Sequence, residues 1–177
     1  MPTQASISTQ HLTSQAIAPE RGWSVRRALS TTAGWSSTVA RLVLAVVMFP
    51  HGAQKLLGWF GGYGFAGTLG FLTDKMGLPK PLAASVILIE FAAPLLLVAG
   101  LGTRFAALGI GAIMIGAIAT VHASQGFFMN WSGAQAGEGF EYHLLALGLV
   151  AVLLVQGGGF MSLDRHLASR NARTHGA

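Results

Sequence analysis

The chain has 177 residues, a formal net charge of +5 and no cysteine, and it is 52% hydrophobic but only 10% charged. Ordinary soluble domains carry about 25% charged residues; with a mean hydropathy of +0.56, this length fits one membrane-embedded domain. The missing cysteines exclude disulfides, thiolate metal sites and thiol–disulfide chemistry within the subunit. The basic residues flank apolar blocks and form no patch interleaved with aromatics, which excludes nucleic acid as a partner and favours anionic membrane lipid.

In chain order, residues 1–35 are rich in Ser, Thr and Gln without an apolar core, and read as a disordered cytoplasmic tail. Four segments then suit bilayer spans of about 20 residues, at 37–57, 81–101, 104–123 and 141–160. The second holds one charge, Glu90, and the fourth has a short apolar run, Leu144 to Val155. Between the first two spans, residues 58–80 alternate glycines with aromatics and predict a re-entrant or short helical piece, permitted where protein or water satisfies its backbone. In the third span Ala112, Gly116 and Thr120 recur every four residues, a small-residue ridge that predicts close helix packing. Residues 123–140 form a flexible approach to span four. Residues 164–177 are a basic cytoplasmic tail. The fold class is thus all-α, an integral membrane antiparallel four-helix bundle over residues 36–163.

Charge sets the orientation. Eight arginines (21, 26, 27, 41, 104, 165, 170 and 173) fall on one side and three lysines (55, 75 and 80) on the other. The positive-inside bias places both termini in the cytoplasm, and Trp59, Tyr63, Phe127 and Trp131 fall at an outer aromatic belt. Arg26-Arg27 suggests a twin-arginine signal, but no small-residue cleavage site follows span one.

With that orientation, His51, Gln54, Lys55, Glu90, His122, Glu141 and His143 gather in the outer half, and the inner half shows no comparable set. At a rise of about 1.5 Å per residue, His51 lies roughly 9 Å and Glu90 roughly 13 Å below the outer ends of their helices. Ionisable groups at such depth face a bundle interior or a cavity. Pro94 removes the N–H that would bond the Glu90 carbonyl, leaving an acceptor and a carboxyl at one level. His51 and Glu90 are expected to face each other across one pocket. Lys55 can instead snorkel, His122 can be interfacial, and Glu141 can serve as a first-turn carboxylate at a helix entrance. A haem or metal held by His51, His122 and His143 is not expected, because their depths differ by several Å.

Three stretches carry a family resemblance: His51-Gly52-Ala53-Gln54-Lys55-Leu56-Leu57-Gly58-Trp59-Phe60-Gly61-Gly62, Ile89-Glu90-Phe91-Ala92-Ala93-Pro94 leading to Gly100, and Glu141-Tyr142-His143. Over roughly residues 37–163 the chain resembles the DoxX family of small four-helix membrane proteins. The resemblance implies a bacterial-type cytoplasmic (inner) membrane and a place in membrane redox systems. Relatives are linked to thiosulfate:quinone oxidoreductase or a terminal quinol oxidase, and to membrane complexes protecting against oxidative stress. The first reading is therefore a quinone-interacting subunit of an oxidoreductase complex. His51, Gln54 and Lys55 would donate hydrogen bonds to the head group, and Glu90 would exchange the proton. The chain has no dinucleotide fingerprint and no cysteine for an iron–sulfur cluster, so other electron carriers would belong to a protein partner. The alternative is a non-catalytic scaffold or assembly subunit whose polar cluster fixes helix packing. A homo-oligomer is compatible with either reading.

Overall fold

The structure, a computed structural model, describes residues 34–174, and the tail expected over 1–35 lies outside them except for its last two residues. Helix α1 (Trp35–Leu57) buries Arg41, Ala45, Met48 and Gly52, spaced by three or four residues along one face. It contains Pro50 and ends at Gly58, whose φ of 75° makes glycine the fitting residue there. A short turn over Trp59–Gly61 leads to α2 (Gly64–Gly70), which runs into a π-helical turn over Phe71–Lys75. Helix α3 (Lys80–Ala99) starts after Pro79 and stops at Gly100. Helix α4 (Thr103–Ala117) continues through a π-helical turn, Ile118–His122, and a tight turn, Ala123–Gln125. Helices α5 (Glu141–Gln156) and α6 (Leu163–Thr174) complete the described residues, which contain no strand.

Helix α1 packs on α3 and α5, and α4 packs on the same two. All four contribute to one core that includes Leu44, Met48, Leu97, Ile110 and Leu153. A second apolar cluster joins Leu72 after α2 to Ala83 and Ile87 of α3, with Leu56 of α1 packed against it. Residues 58–80 therefore fold back over the C-terminal end of α1. Outward-facing Val46, Leu145 and Val155 are each at least 70% exposed, an apolar surface suited to lipid rather than water.

Helices Trp35–Leu57, Lys80–Ala99 and Thr103–Gln125 are long and apolar enough to cross a membrane. The fourth expected span is shorter than 141–160. It stops at Gln156 because Gly157-Gly158-Gly159 breaks it, and its 16 residues rise about 24 Å against a hydrocarbon core of about 30 Å.

The opposite end of the bundle, expected to hold no set comparable to the His51–His143 group, contains buried polar groups of its own. Arg41 is 2% exposed. Its guanidinium donates to the carbonyls of Leu97 and Val98 (both 2.7 Å), Gly158 (2.9 Å) and Met161 (3.0 Å). It thus satisfies the last carbonyls of α3 and ties them to the glycine loop after α5. Asp164, also buried, accepts the backbone N–H groups of Gly102 (2.7 Å) and Thr103 (2.9 Å), capping α4 from the start of α6. Ser37 donates to the Gly157 carbonyl. Arg41, expected only as a topology-setting charge, is here a structural hub. The available signal was the lone acid, Asp164, within a basic C-terminal segment.

Candidate functional site: a cavity over a buried ion pair

Gly52 sets the geometry. A Cβ at this position would overlap the Glu90 carbonyl and lie 2.6 Å from Phe91 Cα, so α1 and α3 meet backbone to backbone. The overlapped carbonyl is the one that Pro94 deprives of its helical donor. Lys55, three residues beyond Gly52, shares its face and forms an ion pair with Glu90 Oε1. Glu90 is 2% exposed and its Oε2 finds no hydrogen-bond partner among the described residues. A buried carboxylate oxygen left in this state is costly unless it is protonated or meets a ligand.

A cavity of about 730 Å³ opens above this pair, between the N-terminal half of α3, the C-terminal half of α4 with the turn after it, and the segment 61–78. That volume is typical of small-molecule sites, about 300–1,000 Å³. Gln54, Lys55, Glu90 and His122 line it, as do the hydroxyl residues Tyr63, Thr68, Ser85 and Thr120, with a largely apolar remainder that includes Phe71, Leu82, Val86, Ile89 and Ile113. The two π-helical turns contribute Phe71 and Leu72 on one side and Thr120, Val121 and His122 on the other; such turns are frequent at functional sites. Gln54 Nε2 donates to the Phe60 carbonyl at 3.3 Å, and Gly62 abuts the Gln54 backbone, where a Cβ would sit 2.5 Å from Gln54 Cα. Phe60 itself has a φ of 53°, a conformation uncommon for a bulky residue.

The other expected residues divide around this cavity. His122 Nδ1 lies 2.8 Å from the Glu138 carbonyl, and its ring lies 4.1 Å from that of His143, tilted by 43°. His143 is buried at 7% exposure and does not line the cavity; its Nδ1 has no partner among the described residues. His51 is exposed, with its ring 6.2 Å from Tyr142, and it lies outside the cavity. Tyr142 in turn directs its hydroxyl to Met48 Sδ at 3.5 Å. Lys55, rather than His51, forms the ion pair with Glu90, and His51 does not line the pocket it was expected to share. The two levels agree, because Gly52 abuts Glu90, but His51 is turned by one helical step, about 100°, toward α5. Lys55 does not snorkel away.

Glu141 clamps the loop that precedes α5. Its Oε1 accepts Met129 N (2.9 Å) and Trp131 Nε1 (3.2 Å). Segments 126–128 and 139–141 are also joined by backbone hydrogen bonds. Among the described residues no three His, Asp or Glu side chains form a metal-ligand set. The ridge Ala112, Gly116 and Thr120, expected to pack a helix, lines the cavity, and a Cβ at Gly116 would meet nothing within 4 Å.

Compared with known proteins, residues 36–123 match the DoxX family model. Over 124 residues, 70% of this chain and 81% of the relative, the sequence is 30% identical to a protein of Bacillus subtilis (strain 168) that bears the name "Putative oxidoreductase CatD". No solved structure matches the chain significantly.

Proposed function

The chain belongs to the DoxX family, and from that premise we propose that it is the quinone-binding membrane subunit of a redox system. It is a multi-pass membrane protein whose apolar helices contact lipid. In our reading α1, α3, α4 and α5 form an antiparallel four-span bundle in a bacterial-type cytoplasmic membrane, with both termini cytoplasmic. The observation that carries the function is the Lys55–Glu90 pair at the cavity wall, with a buried Glu90 oxygen still lacking a partner. Quinone carbonyls accept hydrogen bonds, and their reduction to hydroxyls takes up protons. Lys55 supplies a donor that is only partly consumed by Glu90. Glu90 Oε2 is placed to accept from, or when protonated donate to, the head group. Lys55 is 36% exposed, which connects the buried carboxyl to the wetter outer end of α1. Gln54 and His122 supply further polar contacts. The name of the Bacillus relative supports a redox assignment. Electrons would pass to or from a protein partner carrying its own redox centre.

The test is quinone binding to purified protein in lipid nanodiscs, followed by quenching of intrinsic tryptophan fluorescence. Wild-type protein should bind saturably. Glu90→Gln should weaken binding by about tenfold, the loss of one charge-assisted hydrogen bond, with its melting temperature largely retained. Unsaturable quenching, identical in wild type and Glu90→Gln, would refute the quinone reading and leave the scaffold alternative.

A further inference from the structure

We infer that the cavity selects a ligand with a long unbranched or isoprenoid tail, which lies along Ala112, Gly116 and Thr120 and leaves the protein sideways between α3 and α4 into the lipid. This inference rests on the quinone reading and adds the substrate class, a membrane-borne long-chain quinone rather than a water-soluble short-chain one.

Three observations carry it. First, α3 and α4 are in contact low in the cavity, where a Cβ at Gly109 would lie 2.8 Å from Ile89 Cγ2. Higher up they part, and Gly116 faces open space. From Gly109 to His122 the track runs about 20 Å at 1.5 Å per residue, far longer than a head group needs.

Second, the track is chemically apolar although the hydroxyls of Ser85 and Thr120 line it. Thr120 Oγ1 donates to the Gly116 carbonyl and Ser85 Oγ to the Pro81 carbonyl, each at 2.8 Å. Both are satisfied within their own helices and offer little to a polar guest. The unpartnered Glu90 Oε2, on a residue 2% exposed, stands at one side of the same cavity. A polar spot joined to an elongated apolar track matches an amphiphile with one head and one tail.

Third, the wall between α3 and α4 is incomplete. Leu82 and Ile89 of α3 and Val121 beyond α4 line the cavity and are nevertheless 53%, 38% and 41% exposed. Ile89 adjoins Glu90, deep in its span, and there such a surface faces acyl chains. A tail can therefore remain in the membrane while its head reaches Glu90, so the ligand need not be withdrawn from lipid through water.

The test compares a long-chain quinone with its short-chain analogue bearing the same head group. Both are titrated in nanodiscs, with affinity expressed per mole fraction in the bilayer to remove partitioning. Wild-type protein should prefer the long chain by about tenfold or more. Gly116→Phe, which fills the track, should abolish this preference while the short-chain analogue still binds. Gly148→Phe, at an exposed α5 glycine outside the cavity with nothing within 4 Å, should keep the preference and controls for bulk and folding. Equal binding of the two chain lengths by wild type overturns the inference and leaves the head-group site standing; phospholipid acyl chains occupying the track would give that result. A preference that persists in a folded Gly116→Phe variant also overturns it. Failure of both quinones to bind wild type overturns the quinone reading itself, and the inference with it.

Discussion

Gly52→Ala should destabilise the protein, opposite in sign to what helix propensity dictates. In an open helix, replacing Gly by Ala gains about 1 kcal/mol. At residue 52 the new Cβ would stand 2.6 Å from Phe91 Cα, where ordinary contact begins at 3.4 Å. The difference of 0.8 Å has to come from moving α3 away from α1, because the obstructing atoms are backbone and cannot rotate aside. Overpacking of this kind costs about 1–3 kcal/mol, and the rigid obstacle favours the upper part of that range. After the propensity gain, a net loss of about 1–2 kcal/mol remains, or about 2–8 °C in melting temperature for a chain of this size. Gly148→Ala, where a Cβ meets nothing within 4 Å, should instead be neutral or raise stability by up to about 1 kcal/mol. Thermal unfolding in one detergent, followed by tryptophan fluorescence, compares the two. A Gly52→Ala protein as stable as wild type would refute the close approach and, with it, the placement of Lys55 on Glu90.

The ion pair should be asymmetric: Lys55→Met, which leaves Glu90 buried without a cation, should lower stability more than Glu90→Gln, which leaves a partly exposed lysine free to hydrate. A double-mutant cycle on thermal stability checks this, and equal losses with no coupling would contradict the pair. Arg41→Lys should cost about 3 kcal/mol or more, because an ammonium cannot reproduce a planar fork that serves carbonyls from α3 and the loop after α5; a melting temperature within error of wild type would contradict this. Reporter fusions at residues 68 and 133 should read as external and those at residue 103 and the C-terminus as internal, and an external C-terminus would show that α5 does not cross the membrane.

Helix positions were legible because the apolar runs are long and glycines mark their ends, as at Gly58 and Gly100. Depth was legible as well: rise-per-residue counting put residue 51 and Glu90 at neighbouring levels, and Gly52 does abut Glu90. Azimuth was not. His51 and Lys55 both lie within a turn of Gly52, and only the contact of Gly52 with α3 decides that Lys55 turns toward Glu90. The same limit hid the role of the 112–116–120 ridge, since small residues serve close packing and cavity walls equally well, and the outcome depends on how far α3 diverges from α4. The hydrogen-bonding role of Arg41 was hidden for a different reason. A charge rule explains an arginine near the start of a span without asking which carbonyls it satisfies, and those belong to residues more than fifty positions away. The fourth helix came out shorter because three glycines in succession outweigh the apolar run before them.

The central claim, a quinone site in the cavity above Lys55 and Glu90, is tested most directly by photolabelling. A photoreactive long-chain quinone would be crosslinked to the protein in nanodiscs and the labelled peptides mapped by mass spectrometry. The account predicts labels on residues 71–90 and 109–122, displaced by excess unmodified quinone and reduced in Glu90→Gln. Labels spread over the lipid-facing surfaces of α1 and α5, or labels that excess quinone does not displace, would contradict it.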